Sequence, residues 1–339
     1  AEGVTPAVPN NTLKLMKNPL FTLLGSVAIC GVAFSWTVTA QELPSISRIV
    51  PVPGGDVRID WTAPQGELLR LETSEDLVRW RPWITLRSSG TGGQTDAAAP
   101  HLKSRFYRSL PVSDAETLTG DHLETEVGDA VIHPVNHASF VIQWNGIMIY
   151  NDPVGGAGAY SGLPPADLIL VSHSHGDHFS AATLSAVLGP EGAIVAPRDV
   201  FNSLSAALRA RTTVLANGEE TDWLGVGVEA VPAYNSRHSR GSGNGYVVTV
   251  GGRRLYMSGD TGDVAEMRSL ENIDVAFLCM NVPFTMTITE AASAVRDFRP
   301  RVVYPYHYRN QDSTLSNLES FKAMVGLDGG TEVRIRNWY

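Results

Sequence analysis

Val171-Ser172-His173-Ser174-His175-Gly176-Asp177-His178 is the stretch that decides how this 339-residue chain is read. Four metal-binding side chains, His173, His175, Asp177 and His178, fall within six positions, directly after the apolar run Leu168-Ile169-Leu170-Val171. Imidazole and carboxylate are the ligand types that zinc and related first-row metals take. In extended chain, residues two apart point the same way, so His173 and His175 can share one ion. After the turn at Gly176, Asp177 and His178 can face a second. Packing does not account for four such side chains at the end of a buried strand.

Three landmarks follow downstream. Ser258-Gly259-Asp260-Thr261-Gly262 comes after the strand-like Arg254-Leu255-Tyr256-Met257. Val302-Val303-Tyr304-Pro305-Tyr306 runs into His307, and His238 lies in Tyr234-Asn235-Ser236-Arg237-His238-Ser239. With these anchors in this order, residues 120–339 resemble the metallo-β-lactamase-fold hydrolases. The resemblance implies an α/β architecture, a four-layer αββα sandwich with one or two metal ions at one edge. Carried over position by position, it implies His173, His175 and His238 on one ion. Asp177, His178 and His307 would hold the other, and Asp260 would bridge them. Asn235 is the alternative contact in the His238 loop, since a histidine between Arg237 and Arg240 can simply be solvated. The implied cofactors are two divalent ions, zinc first, with manganese or iron accepting the same ligands. A metal-activated hydroxide would then attack a polarised carbonyl or phosphoryl group, with Asp177 and Asp260 as the catalytic carboxylates.

A Gly-Asp-Thr bridge resembles glyoxalase II, lactonase and phosphodiesterase relatives rather than β-lactamases proper. His137-Ala138-Ser139-Phe140, Asn151-Asp152-Pro153, Val231-Pro232-Ala233-Tyr234-Asn235 and Phe284-Thr285-Met286-Thr287 resemble the ascorbate-6-phosphate lactonase-like branch. Flavodiiron relatives carry Glu where His175 stands, which disfavours redox chemistry. Asp152 is implied to orient the ligand loop, although an Asp before proline is equally a turn residue. His137 is either a contact to the site or a hydrogen-bonded buried histidine. In a continuous strand Tyr306 and Tyr308 point away from His307, one toward substrate or both into packing.

Residues 1–40 read as upstream sequence and a secretory signal. Met16-Lys17 precedes an apolar run over 20–38, and Val38-Thr39-Ala40 fits the small-x-small cleavage rule, so the mature chain would start at Gln41. This implies a periplasmic or secreted protein with no stable membrane insertion after cleavage. Cys30 would leave with the signal, and Cys279, in an apolar run, would pack in the core. Residues 41–110 read as a small β-sandwich module: Val57-Arg58-Ile59-Asp60-Trp61 and Leu69-Arg70-Leu71-Glu72-Thr73 alternate at period two. Trp80, Trp83 and Phe106 would fill its interior, with carbohydrate binding by Trp80 or Trp83 as the other use. Residues 111–126 carry five acidic side chains and no Lys or Arg, reading as a solvated linker or strand lead-in, and 127–339 form the hydrolase domain. Helices are expected over 180–188, 199–210 and after the Thr287-x-x-Glu290 capping box.

A net charge of −9 argues against nucleic-acid partners. The expected partner is a small molecule; oligomeric state is open. The favoured function is hydrolysis of a small ester, lactone or phosphodiester. The alternatives are a metal-stabilised, non-catalytic binding or scaffold protein, and a β-lactamase-type amide hydrolase.

Overall fold

The computed structural model describes residues 42–113, 117–327 and 329–339. The signal-like segment and Cys30 lie outside these residues. The described residues divide into two compact units, one running up to residue 113 and the other from residue 117 onward.

The first unit has strands β1 (Ser45–Pro51), β2 (Val57–Thr62), β3 (Leu68–Ser74), β4 (Arg81–Arg87), β5 (Thr91–Asp96) and β6 (Phe106–Val112). β2 pairs antiparallel with β1 and β5, and β3 pairs antiparallel with β4 and β6. The period-two pattern buries Val57, Ile59 and Trp61 from β2 with Leu69 and Leu71 from β3, around Trp83, Ile84 and Tyr107. Trp83 is therefore a core residue. Trp80 departs from the sequence expectation: it is half-buried, with the Arg108 guanidinium 4.5 Å from its ring centre. Arg108 is held in turn by Glu72 at 2.5 Å.

The second unit is two sheets with helices outside them. Its strands are β7 (Gly120–Glu124), β8 (Asp129–Asn136), β9 (Ser139–Trp144), β10 (Ile147–Asn151), β11 (Ala166–Leu170), β12 (Leu188–Ala196) and β13 (Thr212–Val214), followed by β14 (Glu220–Trp223), β15 (Val226–Pro232), β16 (Asn244–Val250), β17 (Arg253–Met257), β18 (Val275–Cys279), β19 (Val302–Tyr306) and β20 (Glu332–Val333). β7 to β13 lie side by side in chain order in one sheet, and β14 to β20 do so in the other. In each, an antiparallel start turns parallel, from β10 onward and from β17 onward.

Strands buried on both faces read as continuous apolar runs, and this explains the run before the histidine motif. Leu168 and Leu170 face the core between the sheets, whereas Ile169 and Val171 face the helices α1 (Ala181–Val187), α2 (Arg198–Ser203) and α3 (Ala206–Arg209) through Leu184, Val200 and Leu208. Between the sheets Phe140 stacks on Phe277 at 4.1 Å. The other sheet is covered by α4 (Ala265–Arg268), α5 (Ile288–Phe298) and α6 (Leu318–Val325), which bury Met267, Val295 and Phe321. This is the αββα order. The Thr287 and Glu290 capping box opens α5. Cys279 is buried, and burial pushes its thiol up to about 12. Among the described residues no helix is long and apolar enough to cross a membrane.

One local expectation is corrected, and one of two open readings is decided. The helix expected over 199–210 is two, because Leu204 is extended and the Ser205 hydroxyl caps a new helix by accepting from the Leu208 N–H. Within 111–126, Gly120–Glu124 is β7, paired with β8, so of the two readings for this stretch the strand one applies there. The reason is Asp121, buried because Arg336 donates to both its oxygens at 2.8 Å and the Tyr304 hydroxyl donates at 2.9 Å. Burial alone would raise the Asp121 carboxyl, but the Arg336 and Arg334 charges outweigh it and hold the group below its usual range. Its stabilising contribution is accordingly present above the unfolded carboxylate pKa of about 4 and lost as pH falls below it. Asp121→Asn leaves Arg336 uncompensated and should cost about 3 kcal/mol in denaturant unfolding at pH 7, with a smaller difference between the two proteins in acid.

Candidate metal centre

The residues expected to build the metal site, Tyr306 excepted, converge on one edge of the second unit, where strands end and loops begin. His137 follows β8, Asp152 follows β10, His173 follows β11, and Asp260 and His307 follow β17 and β19; Asn235 and His238 lie between β15 and β16. The C-terminal ends of parallel strands are where open α/β sheets place their ligands.

Three of these residues have left-handed backbone: His137 at φ 57°, Asp152 at φ 42° and His307 at φ 46°. Such conformations cost on the order of 1–3 kcal/mol each for non-glycine residues and persist where surrounding structure enforces them. At His307 the turn ends the strand at Tyr306, which corrects the alternation expected through Tyr308. Tyr306 is wholly buried against Phe140, Phe277 and Trp338, away from the cleft. Gly259, at φ 56°, lets the chain reach Asp260. A Cβ there would stand 2.9 Å from the Asn244 carbonyl and 3.2 Å from the Ser172 side chain.

Hydrogen bonds fix which nitrogen each imidazole presents. His178 gives its Nδ1–H to Asp152 Oδ2 at 2.8 Å. The same carboxylate accepts from the Ser172 backbone N–H at 2.6 Å and from its hydroxyl at 2.7 Å. The Ser172 oxygen then accepts from His173 Nδ1 at 3.0 Å, and Asn235 Oδ1 accepts from His238 Nδ1 at 3.1 Å. Asn235 also donates to the Asp260 carbonyl at 2.9 Å. In each ring Nε2 is left to face the centre. Supporting partners of this kind orient metal-bound histidines. Ser172 was not singled out in the sequence, although it sits inside the decisive stretch.

The converging atoms form two sets. His173, His175 and His238 make one group able to hold an ion, with His238 Nε2 3.0 Å from His175 Nδ1. In the other, His178 Nε2 and His307 Nε2 are 2.9 Å apart and lie 3.8 and 3.4 Å from Asp177 Oδ2. Asp260 stands between the sets. Its Oδ2 is 3.8 Å from both His173 and His238, and its Oδ1 is 3.2 Å from His178 and 3.3 Å from His307. The buried Nε2 of His173 and Oδ1 of Asp260 have no hydrogen-bond partner. Buried polar atoms are normally paired, and a cation at each set would supply the partner.

The electrostatics agree. Burial first, then the neighbouring imidazole of His178, pushes His173 down to about 2, so its ring is neutral. Asp260 lies well below the carboxylate range: burial opposes this, and the electrostatic pull of the facing His307 and His178 rings prevails. Asp177 is likewise held low against burial, by hydrogen bonds from His137 and His307. Two anionic carboxylates among inward-facing imidazole nitrogens suit divalent cations, which bind these ligands deprotonated.

His137 joins the site. Its Nε2 is 3.3 Å from Asp177 Oδ2, its ring lies 3.8 Å from that of His307, and its Nδ1 meets the Tyr339 hydroxyl at 2.8 Å. The cleft above these side chains, about 550 Å³, is lined by His137, Asp177, Arg237, Phe284 and Arg309, with Asn281 and Asn310. Arg309 and Tyr339 were missed in the sequence; adjacency to His307 was the available signal for Arg309, and Tyr339 offered none. Of the loop 284–287, Phe284 reaches the cleft while Met286 is buried. Arg240 is drawn off to Glu266 at 2.5 Å.

Residues 132–307 match the beta-lactamase superfamily domain, and the chain belongs to that superfamily. Its relatives include UPF0173 metal-dependent hydrolases. The one from Thermococcus kodakarensis is 36% identical over 205 residues, spanning 57% of this chain and 90% of the relative. That from Pyrococcus abyssi is 36% identical over 169 residues, 47% of this chain and 74% of the relative. A crystal structure from Parabacteroides distasonis, assigned as a metal-dependent hydrolase, matches with a TM-score of 0.58 at 36% identity, covering 65% of this chain and 99% of that one. The protein is thus a metal-dependent hydrolase of the metallo-β-lactamase fold.

Asp152→Asn, which disturbs the shared acceptor of Ser172 and His178, should weaken metal retention about 10- to 100-fold in competition with a chromophoric chelator. Unchanged retention would remove Asp152 from the site's support.

Proposed function

We propose that this protein binds two divalent ions, zinc first, and hydrolyses a small ester, lactone or phosphodiester. The observation that carries the reading is Asp260, whose two oxygens face two separate imidazole sets. When bound, such ions acidify water and polarise a carbonyl or phosphoryl oxygen. His173, His175 and His238 would hold one ion, Asp177, His178 and His307 the other. Asp177 also presents a side chain 48% exposed toward the cleft, where an anionic carboxylate can accept a proton from an attacking water. Asp152, Ser172 and Asn235 keep the rings fixed, so no reorganisation is needed as charge develops. The open cleft favours substrates of modest size. The signal-like residues 16–40 support action outside the cytoplasm.

The test is turnover of bis(4-nitrophenyl) phosphate and of a simple lactone by zinc-loaded protein, with a chelated control. Chelator-sensitive turnover of at least one is expected, falling by about 100-fold or more in His175→Ala and Asp177→Asn while the melting profile of the chain is kept. Turnover that survives chelation would contradict the proposal, as would none of either substrate with both ions bound.

A further inference from the structure

Two arginines face the cleft without an acidic partner. Arg237, on the loop between β15 and β16, and Arg309, just beyond His307, both line the cavity that holds Asp177 and Asp260. Neither guanidinium pairs with a carboxylate among the described residues, whereas Arg240 is held by Glu266 and Arg268 by Asp263 and Asp297. Each is instead placed by an aromatic ring. Arg237 lies 5.0 Å from the centre of Phe284, and Arg309 lies 3.9 Å from the centre of Tyr339. Tyr339 is itself pinned, since its hydroxyl accepts from the Arg309 N–H at 3.1 Å and meets His137 Nδ1 at 2.8 Å.

We propose that Arg237 and Arg309 form a two-armed clamp for an oxyanion, a carboxylate or phosphate, that the substrate carries away from the bond being cut. Guanidinium groups stacked on rings keep their fork of N–H donors free and lose little freedom on binding, which suits bidentate oxyanion recognition. The wider charge makes the feature selective: a chain of net charge −9 repels anions over most of its surface, so two unneutralised cations in one cleft focus attraction there. Ions held by the histidines would lie on the floor of the cleft, so a substrate held at both places would carry its charge at a distance from the reacting group. The clamp rests on the hydrolase reading above only for the location of that reacting group.

The test compares 4-nitrophenyl hemisuccinate with 4-nitrophenyl butyrate, esters that share a leaving group and differ in a remote carboxylate. Zinc-loaded wild type should favour the hemisuccinate in kcat/KM. That preference should fall about tenfold or more in Arg237→Gln and in Arg309→Gln, the size expected for losing a charged hydrogen bond, and Lys variants should fall between. An unchanged preference in both variants, with zinc content and melting temperature preserved, would overturn the clamp. Calorimetry with glutarate and with glycerol 3-phosphate gives a readout independent of turnover, and the tighter of the two names the oxyanion. Weaker binding of either in the variants supports the clamp even where neither ester is cleaved, an outcome that would count against the esterase reading alone. Equal binding in wild type and both variants would overturn it.

Discussion

Asp260 is the constraint around which the second unit is organised. A carboxylate 5% exposed, with one oxygen unpartnered by any hydrogen bond, is tolerated only where positive charge meets it. Here His173 and His238 approach one oxygen while His178 and His307 approach the other. The loops that bring these groups together leave four different strands. Two packed sheets are what hold those strand ends in register, so the apolar bulk of the fold serves to fix a small polar edge.

That edge is built in layers. The converging rings are held by Asp152, Ser172 and Asn235, and Asp152 is held by its own strained backbone and by three donated hydrogen bonds. Around them His137 links Asp177 to Tyr339, and Tyr339 underlies Arg309. The cleft therefore joins a hydrolytic floor to a cationic rim through one chain of contacts. Change at Tyr339 would be felt at both.

The ligand motif was legible in the sequence because local spacing carries it: His173, His175, Asp177 and His178 sit on one turn after one strand. Asp260 was legible from the Gly-Asp-Thr turn, whose glycine answers to a crowded, left-handed position. The doubly buried strands were legible as apolar runs. What stayed hidden depends on distant partners. Asp121 reads as part of an acidic linker until Arg336, more than two hundred positions away, neutralises it. Tyr306 could be read toward substrate or into packing until the fold buried it against Phe140, Phe277 and Trp338. Arg309 and Tyr339 belong to no periodic pattern, and only the fold brings them to the cleft.

If Asp260 joins two metal ions, removing its charge should cost one of them. The most direct measurement is metal content per chain by mass spectrometry after zinc reconstitution and desalting, for wild type and Asp260→Asn side by side. Two ions are expected in wild type and at most one in the variant. A single ion in wild type, or two retained in the variant, would contradict it.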